Sequence, residues 1–310
     1  MKQVLLGGTA LVAVGTAMGA MAQPALASSP ISLSVGGWYE NVITFSDQGG
    51  NLQDSQFRHE GELLFSGSTT LDNGLIVGFE ANLEVVNRTD GGVTDEVFMY
   101  FEGRFGQLQL GANDGAAYQL HYVAPYVGLG LNSPNFGPYN ANGAPTASYL
   151  GGSGLANKIT YFTPKFSGFQ FGLSYVPDDV DPDGTQSGNF GIRNKNIVSQ
   201  QENIVSLAAA YEREVGDLTL GLSGGYEFGS LQANDAAGTF DDYKAFSLGL
   251  NIGYGPILVG GSYAKFNNGL AGDNDGKIWD VGVSYTTGPW GFSLTHLNSK
   301  DEGSGDKMKL

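Results

Sequence analysis

The chain has 310 residues, a formal charge of −16 and no cysteine, which excludes disulfide frameworks, Cys-ligated zinc and Cys nucleophiles. With 15 Lys and Arg against 31 Asp and Glu, nothing would neutralise the phosphates of a nucleic acid, so none is expected as a partner. Glycine contributes 49 residues, more than twice its ordinary share, and lies inside periodic segments as well as in turns, as where backbones approach closely or a sheet bends.

The first 27 residues carry a processing signal. Lys2 supplies a positive start, Val4 to Met18 is apolar and small, and Ala20-Met21-Ala22 and Ala25-Leu26-Ala27 are both cleavage patterns. Cleavage after Ala27 would leave residues 28–310 outside the cytoplasm, with the first strand beginning almost at once at Ile31. No later apolar run reaches the roughly 18 residues that a spanning helix needs.

From Ile31 the chain repeats one unit: about ten residues alternating apolar with polar or small, a tight turn, the same again, then a longer polar loop. The first strand is Ile31 to Phe45. In the second, Phe57, Leu63 and Phe65 share one face while Arg58, Glu60, Glu62, Ser66 and Ser68 share the other. Past Asp72-Asn73-Gly74, Val77, Phe79, Ala81, Leu83 and Val85 alternate with Glu80, Asn82 and Glu84. The fourth strand sets Val97, Met99 and Phe101 against Glu96, Glu102 and Arg104, and the fifth returns through Leu108 and Leu110. One face of these strands is apolar, and the other carries too many charges to be a second core layer. Lipid outside and water inside account for both faces, which predicts an all-β, antiparallel transmembrane β-barrel.

Asn113 to Ala156 is the longest irregular stretch, and a loop of that length is usually functional. The strand Asn157 to Thr163 follows, then a turn at Pro164 to Gly168 and a strand through Phe169, Phe171, Leu173 and Tyr175. The acidic loop Pro177 to Glu202 precedes three further hairpins that turn at Gly216-Asp217, Gly255-Pro256 and Gly288-Pro289. Short turns mark the periplasmic end and long loops the extracellular end. Phe105, Phe166, Phe169, Tyr211, Tyr254, Tyr285 and Trp290 gather at the short-turn end as an aromatic girdle. About 13 strands are complete, and Lys307 to Leu310 opens another. A closed barrel needs an even number, so the expectation is about 16 strands when complete and a chain truncated at its C-terminus.

Several stretches resemble one family: Ile31-Ser32-Leu33-Ser34-Val35-Gly36-Gly37, the hairpin from Glu60-Gly61-Glu62 through Asp72-Asn73-Gly74, and Phe105-Gly106-Gln107-Leu108-Gln109-Leu110-Gly111. Asn157-Lys158-Ile159-Thr160-Tyr161-Phe162-Thr163-Pro164 and Gly168-Phe169-Gln170-Phe171-Gly172-Leu173-Ser174-Tyr175 extend the match. The chain thus resembles the general-diffusion porins of Gram-negative outer membranes, in their alphaproteobacterial form. The resemblance implies an outer-membrane homotrimer embedded in outer-membrane lipid and lipopolysaccharide, passing small hydrophilic solutes and ions, with no required cofactor. It also implies that the loop 113–156 folds inward and constricts the pore. Two departures stand out: the chain stops at Lys309-Leu310 where such proteins usually finish on an aromatic residue, and the Pro-Glu-Phe-Gly-Gly signature of the enterobacterial loop is missing. Only the position of the loop therefore transfers.

By strand parity the pore lining comprises Arg58, Glu60, Glu62, Glu80, Glu84, Glu96, Glu102, Arg104 and Lys158, with Asp114, Tyr118, His121 and Tyr122 on the constricting loop. An acidic wall predicts weak cation selectivity. A substrate-specific channel, for a sugar or another small solute, is the alternative, because the Tyr-rich loop could present an aromatic stripe. Asp179, Asp181 and Asp183 open like an EF-hand calcium loop but lack its closing Glu, so either a calcium ion or plain solvation fits, and Asp273-Asn274-Asp275-Gly276 is a second such segment. The histidines His59, His121 and His296 carry no nucleophile motif, and no enzyme is expected.

Overall fold

A computed structural model describes residues 30–45, 55–85, 94–127, 144–179 and 197–309. The expected signal peptide, 1–27, lies outside these residues. So do Asp181, Asp183 and the side chain of Arg58.

The described residues form one antiparallel sheet of 14 strands in sequence order, each hydrogen-bonded to the next. Its strands are β1 (Ser32–Phe45), β2 (Ser55–Thr70), β3 (Ile76–Glu84), β4 (Thr94–Gly103), β5 (Gly106–Ala112), β6 (Asn157–Phe162) and β7 (Phe169–Asp178). They continue as β8 (Gln201–Val215), β9 (Leu218–Leu231), β10 (Tyr243–Tyr254), β11 (Ile257–Phe266), β12 (Gly276–Thr287), β13 (Trp290–Asp301) and β14 (Lys307–Lys309). β1 and β14 are its edges, and the sheet does not close on itself. One short helix, α1 (Ala116–Gln119), interrupts the segment read as irregular.

The strands follow a period of two, broken by register shifts in β8 between Glu202 and Val205 and in β3 against β4 between Ala81 and Leu83. In β10, Tyr243, Ala245, Ser247 and Gly249 are buried while Lys244, Phe246, Leu248, Leu250, Ile252 and Tyr254 are exposed. The exposed set is the bulky one, the reverse of a protein that folds in water. The hairpins at the short-turn end are tight. Gly216, Gly255 and Gly288 each take a positive φ (61°, 55° and 54°) as first residue of a two-residue turn, a conformation glycine adopts without steric cost. The girdle aromatics lie there as expected, with Phe166 78% and Trp290 67% exposed and Phe169 packed against Tyr211 at 4.6 Å between ring centroids.

The buried interior lies between the inner face of β6–β14 and the segment that joins β5 to β6. Its apolar part includes Ala116, Ala117, Ala144, Leu150, Phe162, Ala208, Tyr243, Ala245, Ala264, Ile278 and Leu297.

Candidate functional site

The two described limbs of the long segment, 113–127 and 144–156, lie flat on the inner wall. The outgoing limb crosses it strand by strand. The Ala116 amide donates to Ser174 Oγ on β7 (2.8 Å), Ala117 to Ser206 Oγ on β8 (3.0 Å) and Tyr122 to Ser223 Oγ on β9 (2.9 Å). Further on, Ala124 N donates to Asp280 Oδ1 on β12 (3.1 Å) and Val127 N to Ser293 Oγ on β13 (2.8 Å), while Thr295 Oγ1 donates to the Pro125 carbonyl (2.8 Å). Beyond the single helical turn of α1, whose amides of Tyr118 to His121 bond within the segment, these amides are satisfied by wall hydroxyls and a carboxylate, as buried backbone requires.

The returning limb has its own anchor. Glu227 on β9, 0% exposed, accepts the Gly152 amide at 3.1 Å and the Ser153 hydroxyl at 3.2 Å. Ser148 shares a 2.6 Å hydrogen bond with Ser262 on β11. Small residues in the wall permit this close approach. A Cβ on Gly249 would lie 2.0 Å from the Tyr122 carbonyl oxygen, and one on Gly225 would lie 2.8 Å from the Ala117 Cβ. Many of the glycines and serines inside β7–β13 are therefore the bed on which the loop rests.

The loop's aromatic residues bind its limbs to each other. Tyr118 of the outgoing limb stacks on Tyr149 of the returning one, with centroids 4.3 Å apart, and His121 meets Tyr149 edge-on at 5.3 Å. Burial raises both tyrosine pKa values and pushes that of His121 down to about 4. The ring nitrogens of His121 face serine hydroxyls, Ser148 at 3.0 Å and Ser223 at 3.5 Å, rather than a carboxylate. Tyr122 covers Gly221 with its ring. The Asp114 amide donates to Asn113 Oδ1 (2.8 Å) at the loop's start.

The carboxylates expected on the pore wall fall on the loop-free side. Glu60 and Glu62 occupy one face of β2, and Glu80 and Glu84 the corresponding face of β3, with Glu62 directly opposite Glu84 across the pair. Glu96 on β4 accepts a 2.7 Å hydrogen bond from Asn82 Nδ2. Arg58 lies opposite Val42 in the register of β1 and β2.

Two residues, Lys158 and Arg104, depart from their expected places. Lys158 is inward, as parity predicts, yet only 5% exposed, because the loop covers the wall there; its ammonium donates to the carbonyls of Asn113 and Gly154. Arg104 lies in the turn between β4 and β5, where strand parity no longer applies. Glu102, at the end of β4, keeps its strand's parity and accepts a hydrogen bond from Gln107 Nε2 (3.2 Å) at that same rim. Conversely, Glu227 and Asp280 were missed. Each is an acid at an inward position next to small residues of its own strand, Gly225 and Gly229 beside Glu227, Gly282 and Ser284 after Asp280, and that local contrast was the available signal.

Of the calcium candidates, Asp179 accepts the Gln201 amide at 3.0 Å, and burial raises its pKa. Asp275 of the second acidic segment is paired with Lys265 at 2.6 Å. Among the described residues no cluster of three or more His, Asp or Glu could hold a metal ion.

Residues 9–309 match a family described as Gram-negative porin. An uncharacterized protein of Rickettsia bellii is 23% identical over 96% of this chain and 86% of its own length. One of Rickettsia typhi is 26% identical over 46% of this chain and 43% of its own, so the match spans less than half of that relative. Among solved structures, Salmonella typhi OmpF in complex with daunomycin is similar at 18% identity and a TM-score of 0.61, over 90% of this chain and 82% of that one. The anion-selective porin from Comamonas acidovorans is similar at 18% identity and a TM-score of 0.58, over 91% and 82%. At such identities the likeness is one of fold.

Proposed function

The chain belongs to the Gram-negative porin family, and we propose that it forms a water-filled pore for passive diffusion of small hydrophilic solutes and ions, weakly selective for cations. Its place is the outer membrane, which it crosses as an antiparallel β-barrel. In this reading residues 1–27 are removed on export and the mature chain assembles as a homotrimer. The described limbs of the loop, 113–127 and 144–156, narrow the lumen by lining β6–β13, which confines the water path to the space in front of β1–β5.

The observation that carries the selectivity is the distribution of charge. Glu60, Glu62, Glu80, Glu84 and Glu96 share the inner face of β2–β4, whereas the one inward cation of the loop-covered wall, among the described residues of β6, is Lys158, buried beneath the loop. Carboxylates along a water path favour cations. The fold alone does not fix the sign, since a similar structure is of an anion-selective porin. The stack of Tyr118 on Tyr149 turns those rings toward each other, which favours diffusion over an aromatic sugar track.

Single-channel recording of the purified protein in planar bilayers under a KCl gradient tests this reading. Large ohmic steps grouped in threes, with a reversal potential of cationic sign, are the expected result. Anion preference would overturn the selectivity, and small conductance blocked by a single solute would indicate the substrate-specific channel instead.

A further inference from the structure

A buried cation and a buried anion grip the loop at the place where its two limbs pass each other. From β6 comes Lys158, 5% exposed, whose ammonium donates to the carbonyl of Asn113 at the start of the outgoing limb and to that of Gly154 near the end of the returning one. From β9 comes Glu227, which accepts the Gly152 amide and the Ser153 hydroxyl of the returning limb. Ser206 ties the same carboxylate to the outgoing limb, since its hydroxyl hydrogen-bonds Glu227 and accepts the Ala117 amide. Lys158 also supplies counter-charge to Glu227.

The returning stretch 152–154 is thus held through its donors by the anion and through a carbonyl by the cation, and the outgoing limb is held by the same two groups. The fit is close. A Cβ on Gly115 would lie 2.3 Å from Ser153 Oγ and 3.0 Å from Glu227 Oε1, and one on Gly152 would lie 2.0 Å from Tyr243 Cε1. An ammonium carries three donors on one atom, so it can bond carbonyls that arrive from different segments, and each such bond is charge-assisted. The pair is neutral as a whole and covered by the loop, so its place is in the geometry of the pore and not in its field. Farther along, the outgoing limb meets the wall one strand at a time, at Ser223, Asp280 and Ser293.

We propose that Lys158 is a positioning residue for the pore: by tying both limbs of the loop to the wall at one place, it keeps them out of the water path and so sets the aperture. The inference rests on the porin reading. Both limbs already lie flat on the inner wall, so release at this point moves them toward the lumen and narrows it. A buried ion pair is a poor source of stability compared with apolar packing, and its use here is to fix one arrangement of two segments that could otherwise slide.

Liposome swelling and single-channel recording of the full chain test the clamp, with a pentose and a trisaccharide as neutral solutes. K158M should lower the trisaccharide-to-pentose rate ratio by roughly twofold or more and add brief partial closures to the conductance steps. K165Q, in the turn between β6 and β7 at the short-turn rim, should behave as wild type. Neutral sugars sense width and not field, so a lysine that acted by its charge in the lumen would leave the ratio unchanged and move only the reversal potential. A lysine that served stability alone would lower the thermal midpoint and also leave the ratio unchanged. Either result overturns the inference, as does a ratio that rises. K158M/E227Q removes both charges and leaves neither buried alone, so it should melt higher than K158M while keeping the lowered ratio. If K158M does not assemble, K158M/E227Q and S153A, which deletes one hydroxyl at the crossing, decide: a lowered ratio supports the clamp and a wild-type ratio in both overturns it. If wild type gives porin steps and the variants sieve the sugars as it does, only the clamp fails; if wild type gives no steps, the porin reading fails with it.

Discussion

At the scale of single residues, Glu227 and His121 decide whether the loop stays on the wall. Glu227 is fully buried, and its oxygens hold the Gly152 amide and the Ser153 hydroxyl. Glu227→Ala would leave those donors unpaired over a new void, a loss of about 2–4 kcal/mol. The expected signs are a lowered thermal midpoint and noisy conductance from a loosened returning limb. His121 is neutral in the fold, its pKa pushed down to about 4 by burial. The unfolded chain therefore binds the additional proton between about pH 6.5 and pH 4, and stability rises with pH across that window. The contribution is complete above about pH 6.5 and is lost toward pH 4, at no more than about 1.4 kcal/mol per pH unit. Thermal midpoints of wild type and His121→Gln, measured across that range, should converge as pH falls.

At the scale of elements, loop and wall are one construction. The adjacent glycines of β9 separate the wall's two faces. A Cβ on Gly225 would meet Ala117 Cβ at 2.8 Å and Ser247 Oγ at 2.9 Å, whereas one on Gly224 would meet its nearest neighbour, Leu248, at 3.6 Å. Gly225→Ala should destabilise by about 1–3 kcal/mol and make the loop more sensitive to protease. Gly224→Ala should be neutral or slightly stabilising, because an outward Ala fits a strand better than Gly. Equal effects from the two would show that the loop does not rest on the wall. The strands themselves were legible in the sequence, since a period of two between tight turns is a local property. The bed was not: Ser174, Ser206, Ser223 and Ser293 bond a segment that is 58, 89, 101 and 166 residues away, and nothing in a strand's own pattern shows that its inner face is covered.

At the scale of the whole molecule, charge is segregated. Carboxylates of β2–β4 face inward, lysines of β10–β14 face outward at the long-loop end, and the two described limbs of the loop cover the inner face of β6–β13. Neutralising the inner wall with E60Q/E62Q/E84Q should lower the cation-to-anion permeability ratio by roughly twofold or more, read as a reversal-potential shift in a KCl gradient. The lysine row lies outside the water path, so K277Q/K300Q should leave that potential where it is. An equal shift in both variants would mean that the field comes from net charge and not from the lumen wall.

The sequence by itself determined the strands, their turns, the bulky outward face and hence the barrel, because alternation and turn chemistry act over a few residues. It also placed Glu60, Glu62, Glu80 and Glu84 correctly on one face, since parity counts reliably within an unbroken strand. Only the tertiary structure decided which inward residues are wet. Lys158 follows the parity rule and is still buried, because a loop that returns to the wall over a long sequence distance changes what inward means. The lysine row was equally hidden, since cross-strand register, which no single strand records, brings Lys265, Lys277, Lys300 and Lys307 side by side.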